Sequence, residues 1–193
     1  MDTIALRQAA IADAEAICLI YNQGIEDRIA TLETECRTPE ERRRWLLGRG
    51  TRHPVIVAEM QGRVVGWGSL NPFNPRPVYD AVADLSVYVE RSWRGKGIGR
   101  RLLERLIALA PGLGYHKMVL AAFPFNEAGV ALYKRLGFTP VGVYHEHGLL
   151  NGMWVDVLIM EKLLSPSSPA RDRSAETPRA LLRGYCPAPR RCR

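Results

Sequence analysis

Arg94-Gly95-Lys96-Gly97-Ile98-Gly99 is the stretch that decides the fold, and it stands between a strand-like run, Val82–Val89, and a helix-like run, Gly97–Ala110. Its three glycines carry no Cβ, so the backbone can turn tightly there and approach a ligand closely. The following helix would present unpaired N–H groups and the positive end of its dipole at the same point. A strand, a glycine turn and a helix N-terminus therefore predict a phosphate-binding site, to which Arg94 and Lys96 add positive charge.

The two best-known phosphate loops do not fit this stretch. A Walker loop ends in Gly-Lys followed by Ser or Thr, and the dinucleotide fingerprint spaces its glycines as Gly-x-Gly-x-x-Gly. The spacing here is Arg-x-x-Gly-x-Gly. It resembles the pyrophosphate loop of the GNAT superfamily of N-acetyltransferases, which hold acetyl-coenzyme A.

A second motif supports that resemblance. Residues 126–138 read Asn-Glu-Ala-Gly-Val-Ala-Leu-Tyr-Lys-Arg-Leu-Gly-Phe, which is similar to the second signature of the superfamily. The resemblance implies that Asn126 hydrogen-bonds the coenzyme arm and that Tyr133 protonates its departing sulfur. A free Tyr has a pKa of about 10, high enough to give a proton to a thiolate of moderately lower basicity.

The predicted elements follow the order strand, helix, helix, three strands, helix, strand, helix and two strands. This order is typical of an α/β domain with a mixed central β-sheet and helices on both faces, and it matches the GNAT fold that the motifs imply. Turn signals at Gln61-Gly62 and Asn151-Gly152 predict two hairpins. Asn71–Pro77, which is rich in Pro, is predicted to be a loop between strands.

The net charge of +7 is concentrated at one end of the 193 residues. Residues 165–193 contain seven Arg against Asp172 and Glu176, a net +5, which leaves +2 for residues 1–164. The segment opens with Ser-Pro-Ser-Ser-Pro, and its Pro- and Arg-rich composition cannot bury much apolar surface. We therefore predict an N-acetyltransferase domain over residues 1–164 and a disordered tail over residues 165–193, and we do not expect a nucleic-acid partner.

The remaining composition points to a cytoplasmic protein without metal. No run is long and apolar enough to span a bilayer, and Met1–Arg7 lacks the features of a secretory signal. The four cysteines form no CxxC pair, and His145 and His147 flank Glu146 without a third ligand of suitable spacing. We expect reduced thiols, no membrane association and no metal.

Acetyl transfer to an amine needs a deprotonated nucleophile, a polarised thioester carbonyl and a proton for the leaving thiolate. In the resembled fold the strand before the glycine loop is splayed, and its free N–H groups bind the coenzyme. The matching positions are Val87, Tyr88 and Val89, with Val87 and Val89 as the backbone donors. Related enzymes carry a Glu base at the start of this strand. This chain has Asp84 there, one methylene shorter, and we expect it to act as base through a bridging water.

The first half of the chain indicates the substrate class. Tyr21-Asn22-Gln23-Gly24-Ile25-Glu26-Asp27-Arg28 and Ala30-Thr31-Leu32-Glu33-Thr34 resemble the substrate-side loop of phosphinothricin acetyltransferases, and in particular the arsinothricin-resistance branch. Leu32 replaces the usual Phe and is expected to reshape one wall of the pocket. The family also has an Arg before a Tyr near the substrate, matched by Arg76 and Tyr79. The resemblance thus implies substrate contacts from Arg28, Thr31, Leu32, Arg76, Tyr79 and Asp84.

The sequence therefore predicts an acetyl-CoA-dependent N-acetyltransferase. Its expected substrates are glutamate-analogue toxins, namely phosphinothricin, arsinothricin or methionine sulfoximine, acetylated on the α-amino group to confer resistance. Three alternatives stay open at this point: acetylation of a protein N-terminus or polyamine, a coenzyme-binding regulatory module without turnover, and nucleic-acid binding through the arginine-rich tail. Family members commonly form homodimers, so a homodimer is expected by resemblance.

Overall fold

The computed structural model describes residues 4–164. Residues 165–193, for which a disordered tail is predicted, lie outside this range. The strands are β1 (Ala5–Gln8), β2 (Val55–Met60), β3 (Arg63–Pro72), β4 (Val82–Val89), β5 (Lys117–Ala122), β6 (Thr139–Leu150) and β7 (Met153–Leu163). The α-helices are α1 (Ala14–Glu26), α2 (Pro39–Leu47), α3 (Ile98–Leu109) and α4 (Glu127–Arg135).

All seven strands form one mixed sheet in the order β1-β2-β3-β4-β5-β7-β6. Every neighbouring pair is antiparallel except β4 and β5, which are parallel. This parallel pairing covers only Val82–Asp84 of β4, whereas β4 stays paired with β3 as far as Val89. The sheet is therefore split between β4 and β5 beyond Asp84.

Helices cover both faces of the sheet, as β2 shows most directly. Val55 and Val57 point into the core under α1 and α2, and Ile56 and Ala58 point into the core under α3. A strand buried on both faces reads as a continuous apolar run instead of an alternating one. The two cores therefore lie on opposite faces of the sheet.

Helix α3 lies unusually close to β3 because two glycines face it. A methyl group added at Gly66 would lie 3.0 Å from the Ile98 Cγ2, and one added at Gly68 would lie 2.9 Å from the Leu106 Cδ1. Only hydrogen at these positions lets the helix rest directly on the strand. The N-terminus of α3 is thereby fixed beside the end of β4.

The predicted fold class and element order are confirmed. The hairpin residues Gln61-Gly62 and Asn151-Gly152 all have positive φ, between 50° and 77°, as a type I′ turn requires. The prediction of a loop over Asn71–Pro77 was wrong at its start, because β3 continues to Pro72. Pro72 is the last residue of the strand, where a missing N–H costs the ladder little. No helix within residues 4–164 is long and apolar enough to cross a membrane.

Candidate active site

The split between β4 and β5 leaves backbone groups of β4 without a strand partner. The Glu90 N–H donates to the Val65 carbonyl on β3 at 3.0 Å. Because successive residues of a strand direct their N–H groups to opposite sides, the N–H groups of Val87 and Val89 point away from β3 and into the split. These are the two backbone donors that the resemblance implies.

The glycine turn joins this open strand to α3. Gly95 and Gly97 have φ of 76° and 81°, a conformation in which an L side chain is strained. Gly97 is the residue that precedes the helix, so the first N–H groups of α3 point into the turn. Gly99 lies within the first turn of α3, where an added methyl group would sit 3.4 Å from the Leu132 Cδ2 of α4. The predicted anion site is thus formed by backbone.

A cavity of about 460 Å³ runs along these groups, and a smaller one of about 80 Å³ continues into the split between β4 and β5. A volume of this size suits a small-molecule arm. The two cavities share walls made by β4, α4 and the loop after α1, namely Val87, Tyr88, Ile29, Ala30, Asn126 and Tyr133. The larger one also borders Val89, Arg94, Gly95, Gly97, Ile98 and Gly99. The residues present therefore fit a coenzyme with a phosphate end and a thioester end.

The two charged residues of the glycine turn are engaged in contacts that the sequence did not indicate. The Arg94 Nη1 lies 2.5 Å from the Asp27 Oδ2, and its Nε donates to the Val89 carbonyl at 3.1 Å. Arg91 also binds Asp27, and these arginines hold the pKa of that carboxyl below its usual range. The Lys96 Nζ lies 4.5 Å from the centre of the Trp93 ring. Arg94 therefore fastens the turn to the end of α1.

Asn126 and Tyr133 of the second motif both face the cavities. Asn126 begins α4, accepting from the Gly129 N–H at 3.1 Å and donating to the Ile29 carbonyl at 3.2 Å. Burial raises the pKa of Tyr133 to about 12, and its ring packs edge-on against Phe138. Its hydroxyl makes no hydrogen bond to another residue within 4–164, so it remains a proton donor facing the cavity.

Tyr88 lies on the opposite face of β4 from Val87 and Val89. Its ring stacks on Trp67 at 4.8 Å and meets Tyr21 edge-on at 5.0 Å. Burial raises the pKa of the Tyr88 hydroxyl. Tyr88 thus forms an apolar wall of both cavities, and its contacts tie that wall to α1.

Asp84 is the last β4 residue paired with β5, so it marks the point where the split begins. It is half-buried, and burial raises the pKa of its carboxyl. The Asn71 Nδ2 donates to the Asp84 Oδ2 at 3.3 Å and to the Ser86 Oγ at 3.2 Å. Ser86 borders the smaller cavity, whereas Asp84 does not. A proton passing between the cavity and Asp84 therefore needs one intermediate group.

The residues implied on the substrate side do not border the two cavities. Arg28, at φ of 56°, donates to the Glu33 carbonyl, and the Thr31 Oγ1 accepts from the Glu33 N–H, so both shape the loop between α1 and α2. Leu32 packs on β6, where a methyl group added at Gly148 would lie 2.5 Å from its Cδ2.

The second substrate-side loop, between β3 and β4, is more open. Arg76 is exposed, and its guanidinium makes no hydrogen bond or ion pair to any residue within 4–164. Tyr79 packs edge-on against Phe73. This loop leaves the sheet from the end of β3 that pairs with Asp84, so Arg76 is the available cation on the Asp84 side of the site.

The structure adds site residues that the sequence did not single out. Arg100 and Arg135 border the larger cavity, and Arg100 is also ion-paired with Glu104 at 2.8 Å. Asn71 and Arg49 contact each other at 2.9 Å behind Asp84. Arg135 lies within the second motif, whereas the contact between Asn71 and Arg49 belongs to no motif, because it depends on the packing of distant elements. No group of three His, Cys, Asp or Glu side chains within the described range is arranged to hold a metal.

Known proteins match both the fold and this site. The acetyltransferase (GNAT) family model matches residues 20–138, which include the glycine turn and the whole second motif. The chain belongs to the acetyltransferase (GNAT) family, and it is an N-acetyltransferase with acetyl-CoA as the acetyl donor.

Individual relatives cover nearly the whole described range. An L-methionine sulfoximine/L-methionine sulfone acetyltransferase of Salmonella typhimurium strain LT2 is 35% identical over 161 residues, which are 81% of this chain and 92% of the relative.

Solved structures agree with the fold. A ribosomal-protein-alanine N-acetyltransferase from Brucella melitensis is 37% identical, with a TM-score of 0.80 over 82% of this chain and 99% of its own. A phosphinothricin acetyltransferase from Sinorhizobium meliloti, in complex with acetyl-CoA, is 28% identical, with a TM-score of 0.79 over 89% and 97%.

Proposed function

We propose that this N-acetyltransferase acetylates the α-amino group of a glutamate analogue such as methionine sulfoximine, phosphinothricin or arsinothricin, and so confers resistance to it. The observation that carries the proposal is that two groups lie at the same end of β3 and β4. They are Asp84, a carboxyl whose pKa is raised by burial, and Arg76, whose guanidinium has no partner among residues 4–164. The similarity to enzymes named for methionine sulfoximine and phosphinothricin supports the same substrate class.

The mechanism assigns the proton-handling groups to opposite sides of β4. Asp84 accepts a proton from the substrate ammonium group through a bridging water, because it stands just behind the cavity that Ser86 borders. The neutral amine that results then attacks the thioester carbonyl. Its raised pKa brings the base closer to neutral pH, where proton transfer is efficient. Tyr133 gives a proton to the leaving sulfur from the other wall.

Backbone groups handle binding and polarisation. Acetyl-CoA, when bound, supplies the activated acetyl group. The N–H groups of Val87 and Val89 would hold its arm and thioester carbonyl, and one such fixed donor contributes about 3–4 kcal/mol. The turn from Gly95 to Gly99 would hold the phosphates, with Arg100 and Arg135 nearby. Asn126 would add a contact to the arm.

Arg76 is the proposed anchor for the acidic end of the substrate. A guanidinium binds carboxylate, phosphinate or arsinate through two parallel charge-assisted hydrogen bonds. Tyr79 and Leu32 would line the substrate, while Thr31 and Arg28 would keep their loop in shape. Loss of the ammonium charge on acetylation would stop the product from imitating glutamate.

A peptide N-terminus is the competing substrate, because the Brucella melitensis neighbour is named for a ribosomal protein alanine. The two classes differ in what Arg76 does. A glutamate analogue offers a second acidic group for it, whereas an alanine N-terminus offers none. Substitution of Arg76 should therefore separate them.

The test is coenzyme A release from acetyl-CoA with methionine sulfoximine, phosphinothricin, arsinothricin, glutamate and an alanine-initiated peptide, on wild type, Asp84→Asn and Arg76→Gln. We expect turnover of the analogues only. Asp84→Asn should lower kcat at least a hundredfold, within the range of general-base catalysis, and Arg76→Gln should mainly raise KM. Turnover of the peptide, with Arg76→Gln unchanged, would overturn the substrate proposal.

We also propose that the protein is a cytoplasmic homodimer. Strands β6 and β7 carry large apolar side chains that are exposed in the single chain: Val141, Val143, Tyr144, Leu149, Met153 and Trp154. Exposed apolar patches of this kind are typical of protein–protein contacts. Light scattering after size exclusion should give twice the chain mass of 21.6 kDa, and a monomer at micromolar concentration would contradict the proposal.

A further inference from the structure

A chain of polar side chains lies behind Asp84, on the side away from the cavities. The Arg49 Nη1 donates to the Asn71 Oδ1 at 2.9 Å, and the Ser69 Oγ donates to the same oxygen at 3.1 Å. The Asn71 Nδ2 donates onward to Asp84 and Ser86. Asn71 thus stands between a half-buried cation, Arg49, and the proposed base.

The orientation of the Asn71 amide is fixed chemically. A guanidinium has only donors, so the oxygen of the amide must face Arg49 and its nitrogen must face Asp84. Arg49 is itself held in place, because its Nε donates to the His53 carbonyl at 2.8 Å and its Nη2 donates to the Leu70 carbonyl. Burial lowers the pKa of Arg49 to about 10, which leaves it charged at neutral pH.

We infer that Asn71 is a positioning residue for the Asp84 carboxylate, with its amide oriented by Arg49; the inference rests on the proposed role of Asp84 as base. Direct contact between Arg49 and Asp84 would lower the pKa of the carboxyl by about 1–3 units and weaken the base. No ion pair to Asp84 forms within residues 4–164. The neutral amide orients the carboxylate while keeping the full cation one residue away.

The other titratable groups around Asp84 do not contact its carboxyl, so within the described residues the Asn71 amide is its side-chain hydrogen-bond partner. On the same sheet face, Lys117 of β5 and Glu161 of β7 pair with each other. Tyr88 lies further along β4, and burial keeps its hydroxyl protonated. The loop after α2 contributes Arg49 and His53, and burial with the nearby arginines lowers the pKa of His53. None of these donates a hydrogen bond to Asp84.

Asn71→Asp is the direct test, because it keeps the shape and the contact with Arg49. It removes the donor to Asp84 and places a second carboxylate beside it, and both changes raise the pKa of Asp84. The acid limb of kcat/KM against pH should move upward by about one pH unit or more. A purely structural role would lower the plateau of the profile without moving this limb.

Arg49→Met is the second variant, with Arg52→Met as its matched control. Both arginines donate to backbone carbonyls from the same loop, but Arg52 contacts Leu113 and Asp80 and not Asn71. Release of the Asn71 amide should move the acid limb in Arg49→Met. The limb should stay in place in Arg52→Met, even where both variants lose stability. Equal movement in the two would overturn the inference.

A direct titration separates this inference from the proposed function. The Asp84 carboxyl is followed by carbon-13 NMR in wild type and Asn71→Asp, with its signal assigned by the matching Asp84→Asn variants. A raised pKa in Asn71→Asp supports the positioning contact, even if Asp84→Asn remains active and the base assignment falls. An unmoved pKa overturns the contact, even if Asp84→Asn is inactive and the proposed function stands.

Discussion

The two sides of the site are formed by different kinds of group, backbone on one side and side chains on the other. The coenzyme side, from Val87 through the glycine turn to Asn126 and Tyr133, consists mostly of backbone groups and glycines on one continuous piece of chain. The substrate side consists of side chains from two loops and from Asp84. These groups come from β3, β4 and the loops after α1 and α2, so only packing brings them together.

This difference explains which residues are free to bind. Glycines have no side chain to engage in other contacts, so the backbone of Gly95, Gly97 and Gly99 borders the larger cavity directly. On the substrate side Arg28 and Thr31 are occupied in shaping their own loop, and Asp84 stands behind Ser86. In the proposed function, specific recognition on this side is therefore assigned to Arg76, whose guanidinium makes no hydrogen bond or ion pair within residues 4–164.

Tyr133 is the side chain on which the coenzyme side should depend most. Tyr133→Phe should lower kcat about a hundredfold, as expected for loss of a general acid, with little change in Tm. Because the pKa of Tyr133 is about 12, wild-type activity should not fall through its ionisation below about pH 11.

Tyr115→Phe is the control for Tyr133→Phe. The Tyr115 hydroxyl donates to the Arg52 carbonyl at 2.9 Å, so its loss should cost about 1 kcal/mol of stability and leave kcat unchanged. If both variants keep full kcat, the proton for the leaving sulfur comes from a group other than Tyr133.

Gly97→Ala should show how far the coenzyme side depends on backbone shape. Its added methyl group would have no atom within 4 Å, so the effect comes from φ of 81° alone. If the free turn relaxes to relieve the left-handed strain of about 1–2 kcal/mol, binding has to restore it, and acetyl-CoA affinity measured by calorimetry should fall by about 5- to 30-fold.

Gly99→Ala is the matched comparison, because its φ is not positive and its methyl group would make ordinary contacts with Leu132 and Val89. Alanine is also favoured over glycine within a helix. Its acetyl-CoA affinity should stay within a few-fold of wild type. A larger loss at Gly99 than at Gly97 would mean that filled space, and not turn geometry, controls binding.

The backbone shape of the glycine turn can be predicted from the sequence for the same physical reason. Glycines with positive φ and a helix N-terminus act locally, so spacing within residues 94–99 is enough to locate them. The element order and the two hairpins are local in the same sense, and both predictions are confirmed.

The rest depends on contacts over long sequence distances. The Arg94–Asp27 ion pair joins residues 67 apart, and Asn71 meets Arg49 across 22. Gly66 and Gly68 look like weak points of a strand, yet they are where α3 rests on the sheet. No periodicity or motif specifies such pairs, so the second layer behind Asp84 emerges only from the fold.

The final prediction compares how one carboxylate on each side, Asp27 and Asp84, contributes to stability as the pH changes. Asp27 has its pKa lowered by Arg91 and Arg94, so it stabilises the fold above the unfolded pKa of about 3.9, and this is lost as pH falls through the folded pKa. Asp84 has its pKa raised by burial, so stability falls as pH rises through the interval between its unfolded and folded pKa values.

At pH 7, Asp27→Asn should therefore lower Tm and Asp84→Asn should raise it. For Asp84→Asn the gain in the free energy of unfolding should be about 1.4 kcal/mol for each unit by which the Asp84 pKa is raised. Both differences should shrink as thermal melts are taken toward pH 3. Opposite signs would mean that the coenzyme side is held by its charges, whereas the substrate side keeps a costly charge for catalysis. Destabilisation by both variants would instead mean that Asp84 is a structural anchor like Asp27, and the base would then have to be sought elsewhere along the split.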